Sequence, residues 1–366
     1  MLTHDFPPEP IGGEGIFAGE IAHRLHNRGL DLEVIAPDTR GAKAHDHLLP
    51  FGVQRIPVPM HNFVTRTLGF LVSSRALVKR YADDVIYAFR PVSGARVPVV
   101  GHFHVTRAGQ ARAALSTGHP LIALANRALV PLDCRFARRC SSVMVVADHL
   151  GQDLSHCTRS PIDLHTVASG VDSELFSPPT DRRPTGSHVL FVGRLDSLKR
   201  LPDLFTAVAR CTPQHPRIRL SIVGRGPQQA HLERLASDLG IVDRVRFVGP
   251  VAHGELPHHY READVLVLPS AYESFGMVML EAMACGTPVL SSDACASLGQ
   301  TMFRAGDHRD LASKLGVLLT NPEERERVAI AGLERSAACT WDHIADRVFT
   351  LLARSAHAVG PLRGDC

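Results

Sequence analysis

Residues 269–282 read Pro-Ser-Ala-Tyr-Glu-Ser-Phe-Gly-Met-Val-Met-Leu-Glu-Ala, directly after the aliphatic run Val265–Leu268. The run is typical of a buried strand, and a helical pattern follows over residues 276–285. A strand, a short loop and a helix in this order form half of a βαβ unit. The segment therefore predicts a loop at a strand's carboxyl end that carries Glu273, and a helix that carries Glu281.

The same alternation of short apolar runs and longer helical patterns extends over nearly the whole chain. Runs of this kind, separated by helices of roughly 10–15 residues, predict parallel sheets in an α/β fold. The other predicted strands are residues 32–36, 97–101, 143–147, 189–192, 220–223, 245–248 and 288–291. Only three residues precede the first loop, so either the first strand is very short or the natural start lies upstream.

The length of 366 residues favours about two domains. Prolines at 178, 179 and 184 interrupt the alternation, and we place the hinge in this region. We expect an N-terminal Rossmann-like domain over residues 1–172 and a second one over residues 173–340. Residues 341–366 are expected to form an amphipathic helix and tail that return to the N-terminal domain.

Composition excludes several classes of protein. The formal charge of +3 and the lack of a long Lys/Arg run argue against nucleic acid as a partner. None of the eight cysteines forms a Cys-x-x-Cys pair, so neither a zinc site nor a redox couple is expected. No signal peptide or membrane-spanning run is visible, which favours a reducing cytoplasm. Membrane-surface contact is not indicated and would rest on Arg127, Arg135, Arg138 and Arg139.

A glycine-rich loop, Gly12-Gly13-Glu14-Gly15, precedes a helical pattern over residues 16–28. Glycines let backbone amides approach a ligand, and a helix N-terminus favours an anion. The alternative is a flexible turn without a ligand.

A second candidate is Phe-Val-Gly-Arg-Leu-Asp-Ser-Leu-Lys, residues 191–199. An apolar strand brings Gly193 and Arg194 to its tip, and Lys199 follows at a helix start. Ligands of parallel sheets bind at this edge, and two cations suit a diphosphate. The alternative is a solvated basic turn.

The two glutamates of the first-quoted segment lie eight positions apart, up to ~12 Å along the helix. This spacing is too long for a paired acid and base acting on one bond. Two hydroxyl-binding sites on a long ligand fit better, with the backbone amides of Ser274, Phe275, Gly276 and Met277 facing phosphate between them. Glu281 lies among apolar residues, where an unpaired carboxylate is costly. The alternative is an ordinary pair of helix-start and helix-face glutamates.

Weaker signals come from a glycine turn and from histidines. Gly224 lies in the turn 224–227 after the strand 220–223. His102 and His104 follow the strand 97–101, so either could face a ligand, although a structural histidine is the commoner case. No Asp-x-Asp follows a strand, and the other histidines lack metal-ligand spacing. A metal site is therefore not expected.

Together these motifs resemble the retaining glycosyltransferases of family 4, which have the GT-B fold of two Rossmann-like, doubly wound parallel-sheet domains facing across a cleft. The resemblance covers nearly the whole chain. The matching pieces are residues 3–8, 12–15, 170–172, Phe176, Pro178, Arg194, Lys199, 224–227, 247–249, Glu273, Glu281, 306–307, Leu311 and 340–341.

The resemblance implies a metal-independent hexosyltransferase that uses a nucleotide-diphosphate sugar, expected to be a UDP-sugar, as co-substrate and needs no cofactor. Arg194 and Lys199 would bind the diphosphate. Glu281 would bind the ribose hydroxyls and Glu273 the sugar hydroxyls.

Other parts of the donor site follow from the same resemblance. Backbone from Val248 to Val251 would meet the nucleobase. Gly13 and Gly15 would lie beside the diphosphate and acceptor, and His104 would be the cleft histidine. The loop 291–305 is shorter than is usual in the family, which leaves donor identity open.

The acceptor depends on segments such as 61–67 and 107–118, which we take as loops. A small molecule is expected. Two other functions stay open: a phosphorylase of the same fold, and a non-catalytic nucleotide-sugar sensor.

Overall fold

The computed structural model describes residues 1–8, 12–58, 63–81, 85–92, 94–180, 186–295, 298 and 301–357. Internal contacts divide the chain into two compact units. The first comprises Met1–Ala111, Leu124–Gly170 and Trp341–Cys366, and the second comprises Arg112–Ala123 and Val171–Thr340. The grouping of Arg112–Ala123 with the second unit is a feature that the sequence did not suggest.

The first unit is built on parallel strands. They are β1 (Glu33–Pro37), β2 (Gly52–Ile56), β3 (Ile86–Ala88), β4 (Val99–Phe103), β5 (Ser142–Val145) and β6 (Leu164–Thr166). Leu2 forms parallel bridges to both Ile35 and Ala88, so the order is β2-β1-Leu2-β3-β4-β5-β6. The chain's first strand is thus reduced to a single bridging residue, and the order reverses beside it, as in doubly wound folds.

Among the described residues, six helices lie between Met1 and Gly170. They are α1 (Gly13–Asn27), α2 (Ala42–Asp46), α3 (Phe63–Val78), α4 (Arg107–Ser116), α5 (Pro120–Ala137) and α6 (Asp148–Thr158). The prediction that the two expected acceptor segments are loops is wrong over most of their length. Helix α3 begins inside segment 61–67, whose first two residues lie outside the described ones, and α4 fills most of segment 107–118. Alanines at 108, 111, 113 and 114 explain the second error, because alanine has the highest helix propensity.

The described residues of the second unit form a six-stranded parallel sheet. Its strands are β7 (His188–Val192), β8 (Arg219–Val223), β9 (Val245–Gly249), β10 (Val265–Leu268), β11 (Val289–Ser292) and β12 (Thr301–Phe303). The order β9-β8-β7-β10-β11-β12 reverses between β7 and β10. Ligands of such sheets bind beyond the carboxyl ends of the strands at this switch point.

The helices of this unit are α7 (Leu201–Cys211), α8 (Gln229–Asp238), α9 (Leu256–Glu262), α10 (Met277–Ala284), α11 (His308–Thr320) and α12 (Pro322–Ala337). Every residue of β7 and β10 is buried, which explains why these strands read as continuous apolar runs. The core of the unit therefore lies directly beneath the switch point.

The last helix, α13 (Trp341–His357), belongs to the first unit. Trp341 is buried, with its ring 5.7 Å from that of Phe17 in α1. Arg28 at the end of α1 forms an ion pair with Asp346 at 2.7 Å. Apolar and ionic contacts therefore both join the C-terminal helix to α1.

Two further findings concern the classes considered from composition. Cys134 and Cys157 form a disulfide within the first unit, which spacing along the chain does not reveal because α5 and α6 bring the two together. In the part of the chain that the structure describes, no helix combines the length and the apolar character needed to cross a membrane.

Candidate functional site

The turn after β7 brings two of the predicted cations to the switch point. Asp196 caps a short 3-10 turn, Ser197–Lys199, by accepting from the Leu198 amide at 3.1 Å. Its second oxygen accepts from Arg194 Nη2 at 2.6 Å and Nε at 3.0 Å. The Arg194 side chain is nonetheless 70% exposed, so its outer face is open to a ligand. Asp196 was not assigned from the sequence.

Lys199 meets Glu273 from the neighbouring strand's loop. Lys199 Nζ lies 2.5 Å from Glu273 Oε1, and the Ser270 hydroxyl donates to the same oxygen at 2.9 Å. The Ala271 amide donates to the Leu198 carbonyl at 2.7 Å, which fixes the β10 loop against the β7 turn. The sheet order therefore places side chains 74 residues apart in direct contact.

The ion pair keeps Lys199 charged. Burial disfavours the charged ammonium, but the adjacent Glu273 carboxylate outweighs it, with help from Asp196, and the pKa of Lys199 is raised. Two predicted ligand-binding groups thus neutralise each other in this structure. A ligand anion would have to share the Lys199 ammonium with Glu273.

Helix α10 starts beside this pair. Gly276 is its N-cap and has a φ of +89°, where a Cβ atom would lie 2.4 Å from Met279 Cε. Only glycine fits this position without strain. The N-cap has no side chain to accept the first amides: the Met279 amide donates to the Gly276 carbonyl at 2.9 Å, and the preceding Met277 and Val278 amides have no side-chain cap, which suits them to an anion. Of the predicted neighbours, Phe275 is buried, whereas Ser274 and Met277 are half-buried.

One and a half turns along α10, Glu281 is buried but not alone. Tyr260 Oη donates to Glu281 Oε2 at 2.7 Å, and His253 Nε2 lies 3.2 Å from Oε1. Burial, and then the charge of Glu281, raise the pKa of Tyr260 well above its ordinary value, so the hydroxyl keeps its proton. Tyr260 and His253 already partner the Glu281 carboxylate. The expectation that this carboxylate is unpaired without a ligand was therefore wrong.

The expected nucleobase segment begins at the end of β9 and runs into the loop that leads to His253. Val248 and Val251 are both half-buried. Between them, Gly249 has a φ of +85°, and its carbonyl accepts from the Gly224 amide at 2.8 Å. This segment thus leads directly to the Glu281 cluster, defined here as Glu281, Tyr260 and His253.

Gly193 and Gly224 have a structural role of their own. Gly224 has a φ of +127°, and a Cβ atom there would lie 2.0 Å from the Gly193 carbonyl oxygen. The turns after β7 and β8 can therefore approach each other only with glycine at 224. This packing explains the glycine whether or not a ligand binds.

In the first unit, the two histidines of the β4 end have different surroundings. His102 is fully satisfied: its Nδ1 lies 2.6 Å from Tyr87 Oη, and its Nε2 lies 3.3 Å from the Val167 carbonyl. His104 is 9% exposed, and its buried Nε2 has no hydrogen-bond partner among the described residues. Such orphan atoms call for a ligand or water.

The environment of His104 keeps the ring neutral. Phe17 and Phe89 pack edge-on against it, with ring centroids 4.7 and 5.2 Å away. Burial, followed by the charges of His102 and Arg90, lowers the pKa of His104 well below its ordinary value. A neutral imidazole can donate or accept one hydrogen bond at Nε2 but carries no charge.

The predicted glycine loop lies largely inside α1, which begins at Gly13 and not at residue 16. Gly12 is the N-cap, Gly13 is exposed and Gly15 is buried. Glu14 forms an ion pair with Arg90 at 2.6 Å, which the sequence did not suggest. Over the described residues, no three His, Cys, Asp or Glu side chains lie close enough to hold a metal ion.

With this geometry in view, comparison with known proteins gives a consistent result. Residues 11–175 match the model of the family described as Glycosyltransferase Family 4, and residues 172–335 match that of Glycosyl transferases group 1. The chain is 31% identical to a D-inositol 3-phosphate glycosyltransferase of Stackebrandtia nassauensis over 92% of this chain and 85% of that one.

Two solved structures share the fold. A sucrose-phosphate synthase from Thermosynechococcus elongatus has a TM-score of 0.79 at 22% identity, with 98% of each chain covered. The Anabaena protein HepE in complex with UDP-glucose has a TM-score of 0.74 at 20% identity, with 96% of this chain and 99% of that one covered. The protein is therefore a glycosyltransferase of the GT-B fold, and the chain belongs to glycosyltransferase family 4.

Proposed function

We propose that the protein transfers a sugar from a nucleotide-diphosphate sugar, a UDP-sugar, to a hydroxyl of a small acceptor, with retention at the anomeric carbon and without a metal ion. One observation carries this proposal: Lys199 and Glu273 meet at the switch point of the second unit, beside the uncapped start of α10. A cation and open amides suit a diphosphate, and a carboxylate beside them suits a sugar hydroxyl.

The nucleoside end of the donor is assigned to the Glu281 cluster. A buried carboxylate held by Tyr260 is preoriented to accept from ribose hydroxyls, and backbone from Val248 to Val251 offers groups to a base. HepE, with the same fold, is named in complex with UDP-glucose, which supports the choice of donor class.

The proposed chemistry is loss of the diphosphate from a transition state that resembles an oxocarbenium ion. Lys199, Arg194 and the first amides of α10 would stabilise the growing negative charge. A departing phosphate oxygen would take the acceptor's proton. His104, neutral and with Nε2 available, would donate to or accept from a sugar or acceptor hydroxyl.

A small polyol or polyol phosphate is the acceptor class to examine first. The relative from Stackebrandtia is named for D-inositol 3-phosphate, and the fold neighbour from Thermosynechococcus is named a sucrose-phosphate synthase. Both names describe small, hydroxyl-rich products or acceptors.

The test is a panel of UDP- and GDP-sugars incubated with polyols, polyol phosphates and inorganic phosphate in excess EDTA. Proton NMR of the product gives the anomeric configuration. We expect transfer from a UDP-sugar to a polyol with the configuration of the donor kept. Transfer only to inorganic phosphate would indicate a phosphorylase, binding without turnover would indicate a sensor, and activity restored only by Mg²⁺ or Mn²⁺ would contradict metal independence.

A further inference from the structure

Two carboxylates of the first unit hold the turn that follows His104. The Arg107 amide, the first of α4, donates to Asp133 Oδ2 at 2.7 Å. The Thr106 hydroxyl accepts from the Gly109 amide at 3.1 Å and donates to Asp153 Oδ2 at 2.6 Å. Amides that a helix start leaves unpaired are thus satisfied by this network. The position of the turn depends on α5, which carries Asp133, and on α6, which carries Asp153.

A covalent bond joins these same two helices. Cys134 directly follows Asp133 in α5, and Cys157 lies one helical turn after Asp153 in α6. The two cysteines form a disulfide, with their Cα atoms 5.7 Å apart. The bond therefore fixes the separation of the two backbones from which the carboxylates project.

The surroundings of Asp133 make its position sensitive. The residue is 7% exposed, and burial raises its pKa to about 6 although the Arg107 amide and charge lower it. A buried carboxylate that loses a partner has no water to replace it. Small shifts of α5 would therefore be passed to the start of α4.

We propose that Asp133 and Asp153 are positioning residues for sugar transfer, and that the Cys134–Cys157 disulfide holds them in place. They act through His104, which lies two residues before Thr106, and not by contact with substrate. A misplacement of about 1 Å can cost ~10²-fold in rate. The link to catalysis rests on the proposed function, whereas the effect on the turn does not.

The position of the turn then depends on whether the Cys134–Cys157 disulfide is oxidised or reduced. Cys157 is half-buried and Cys134 is buried, so a reductant's thiolate attacks Cys157 Sγ and displaces the Cys134 thiolate. The second thiol of a dithiol reductant then releases Cys157. Two electrons pass to the protein, each cysteine takes up a proton, and the reductant becomes a disulfide. Oxidised glutathione drives the reverse exchange.

Hydrogen exchange of the full chain tests the effect on the turn without reference to activity. After dithiothreitol, and in Cys134→Ser and Cys157→Ser without it, we expect the Arg107 and Gly109 amides to exchange at least about tenfold faster. Cys339→Ser, a cysteine of the second unit, is the matched control and should leave them unchanged. Equal exchange in the oxidised and reduced chains would overturn the proposal.

Steady-state kinetics test the link to catalysis. Reduction should lower kcat about tenfold or more with little change in the KM for the donor, and oxidised glutathione should restore kcat in the natural chain but not in Cys157→Ser. Asp153→Asn retains an oxygen for the Thr106 hydroxyl and should keep most of kcat, unlike Asp153→Ala. If the turn loosens while kcat is unchanged, Asp133 and Asp153 are structural residues only.

The two hypotheses fail in different ways. Binding of UDP, assigned to the second unit, should be the same in the oxidised and reduced chains. No sugar transfer by the oxidised chain would contradict the proposed function, and faster exchange on reduction would then still establish that the disulfide holds the turn.

Discussion

The two glutamates that lie eight positions apart in the sequence differ in the residues that surround them. Glu273 faces an ammonium and the Ser270 hydroxyl, whereas Glu281 faces the Tyr260 hydroxyl and the His253 ring. At Glu273, the neighbouring ammonium can meet an anion while the carboxylate accepts from a hydroxyl. The Glu281 carboxylate, bonded to the Tyr260 hydroxyl, keeps lone pairs that can accept from ligand hydroxyls. The difference in surroundings supports the proposal that the two residues bind opposite ends of the donor.

Replacement of each glutamate by glutamine tests this assignment with little change in volume. If Glu281 accepts from ribose, Glu281→Gln should weaken UDP binding about tenfold or more, because a hydrogen bond to a charged group contributes ~1.5–3 kcal/mol. Glu273→Gln frees the Lys199 ammonium for the diphosphate, so it should not weaken UDP binding, but it should weaken binding of the UDP-sugar relative to UDP. Calorimetric titration of both ligands measures this, and the reverse pattern would exchange the two roles.

Lys199 and Arg194 give the second prediction at this scale. If they stabilise charge on the departing diphosphate, Lys199→Ala and Arg194→Ala should each lower kcat at saturating donor by at least about tenfold, since loss of one preorganised donor typically costs ~10²–10³. The measurement is steady-state kinetics, with circular dichroism to verify folding. Arg210→Ala, an exposed arginine at the far end of α7, is the control. A rise in KM with unchanged kcat would leave both residues as anchors of the diphosphate.

Among the elements, the packing of turns at the switch point depends on backbone shape more than on side chains. In the turn after β7, the Leu198 carbonyl accepts from the Ala271 amide of the β10 loop. The same turn packs against the β8 turn at Gly224. Arg200, at the start of α7, has a φ of +48°, a costly conformation for a residue with a side chain. These constraints bring Lys199 to Glu273.

Gly224→Ala tests the importance of this packing. The added methyl group would need to lie 2.0 Å from the Gly193 carbonyl oxygen, at a φ that disfavours alanine. We expect a loss of more than about 2 kcal/mol in the free energy of unfolding. Gly254→Ala is the matched control, because a Cβ atom there has nothing within 4 Å, and it should change stability by less than about 0.5 kcal/mol. Urea denaturation measures both, and equal midpoints would contradict the steric argument.

Some strands could be predicted from the sequence and others could not. Continuous apolar runs identified β7 and β10, because both faces of these strands are covered. Strands β2, β3, β6 and β12 were missed. In β2 and β6 no residue except Ile56 is buried, and β3 and β12 have only three residues each, too few to show a pattern. Strand order, and with it the Lys199–Glu273 contact, comes from tertiary pairing that no local pattern encodes. The partners Tyr260 and His253 were missed for the same reason, although Tyr260 directly follows the pair His258-His259.

On the scale of the whole molecule, the protein consists of two compact units with different tasks in the proposed reaction. The proposed donor groups other than the glycine loop belong to the second unit, and His104 belongs to the first. The only tryptophan, Trp341, is buried in the first unit against Phe17, and a Cβ atom at Gly170 would lie 2.6 Å from its ring. Its fluorescence therefore reports unfolding of the first unit.

This arrangement permits a test of where the nucleotide binds. A ligand stabilises what it binds by RT ln(1 + [L]/Kd), which is ~2.7 kcal/mol at a hundredfold excess over Kd. If UDP binds through the second unit alone, it should raise the calorimetric transition of that unit and move the Trp341 fluorescence transition much less. Glu281→Gln should abolish the calorimetric shift at the same UDP concentration, whereas Arg210→Ala should retain it. A shift confined to Trp341 fluorescence would instead place the nucleotide in the first unit, and equal shifts in both signals would mean that the two units unfold as one cooperative body.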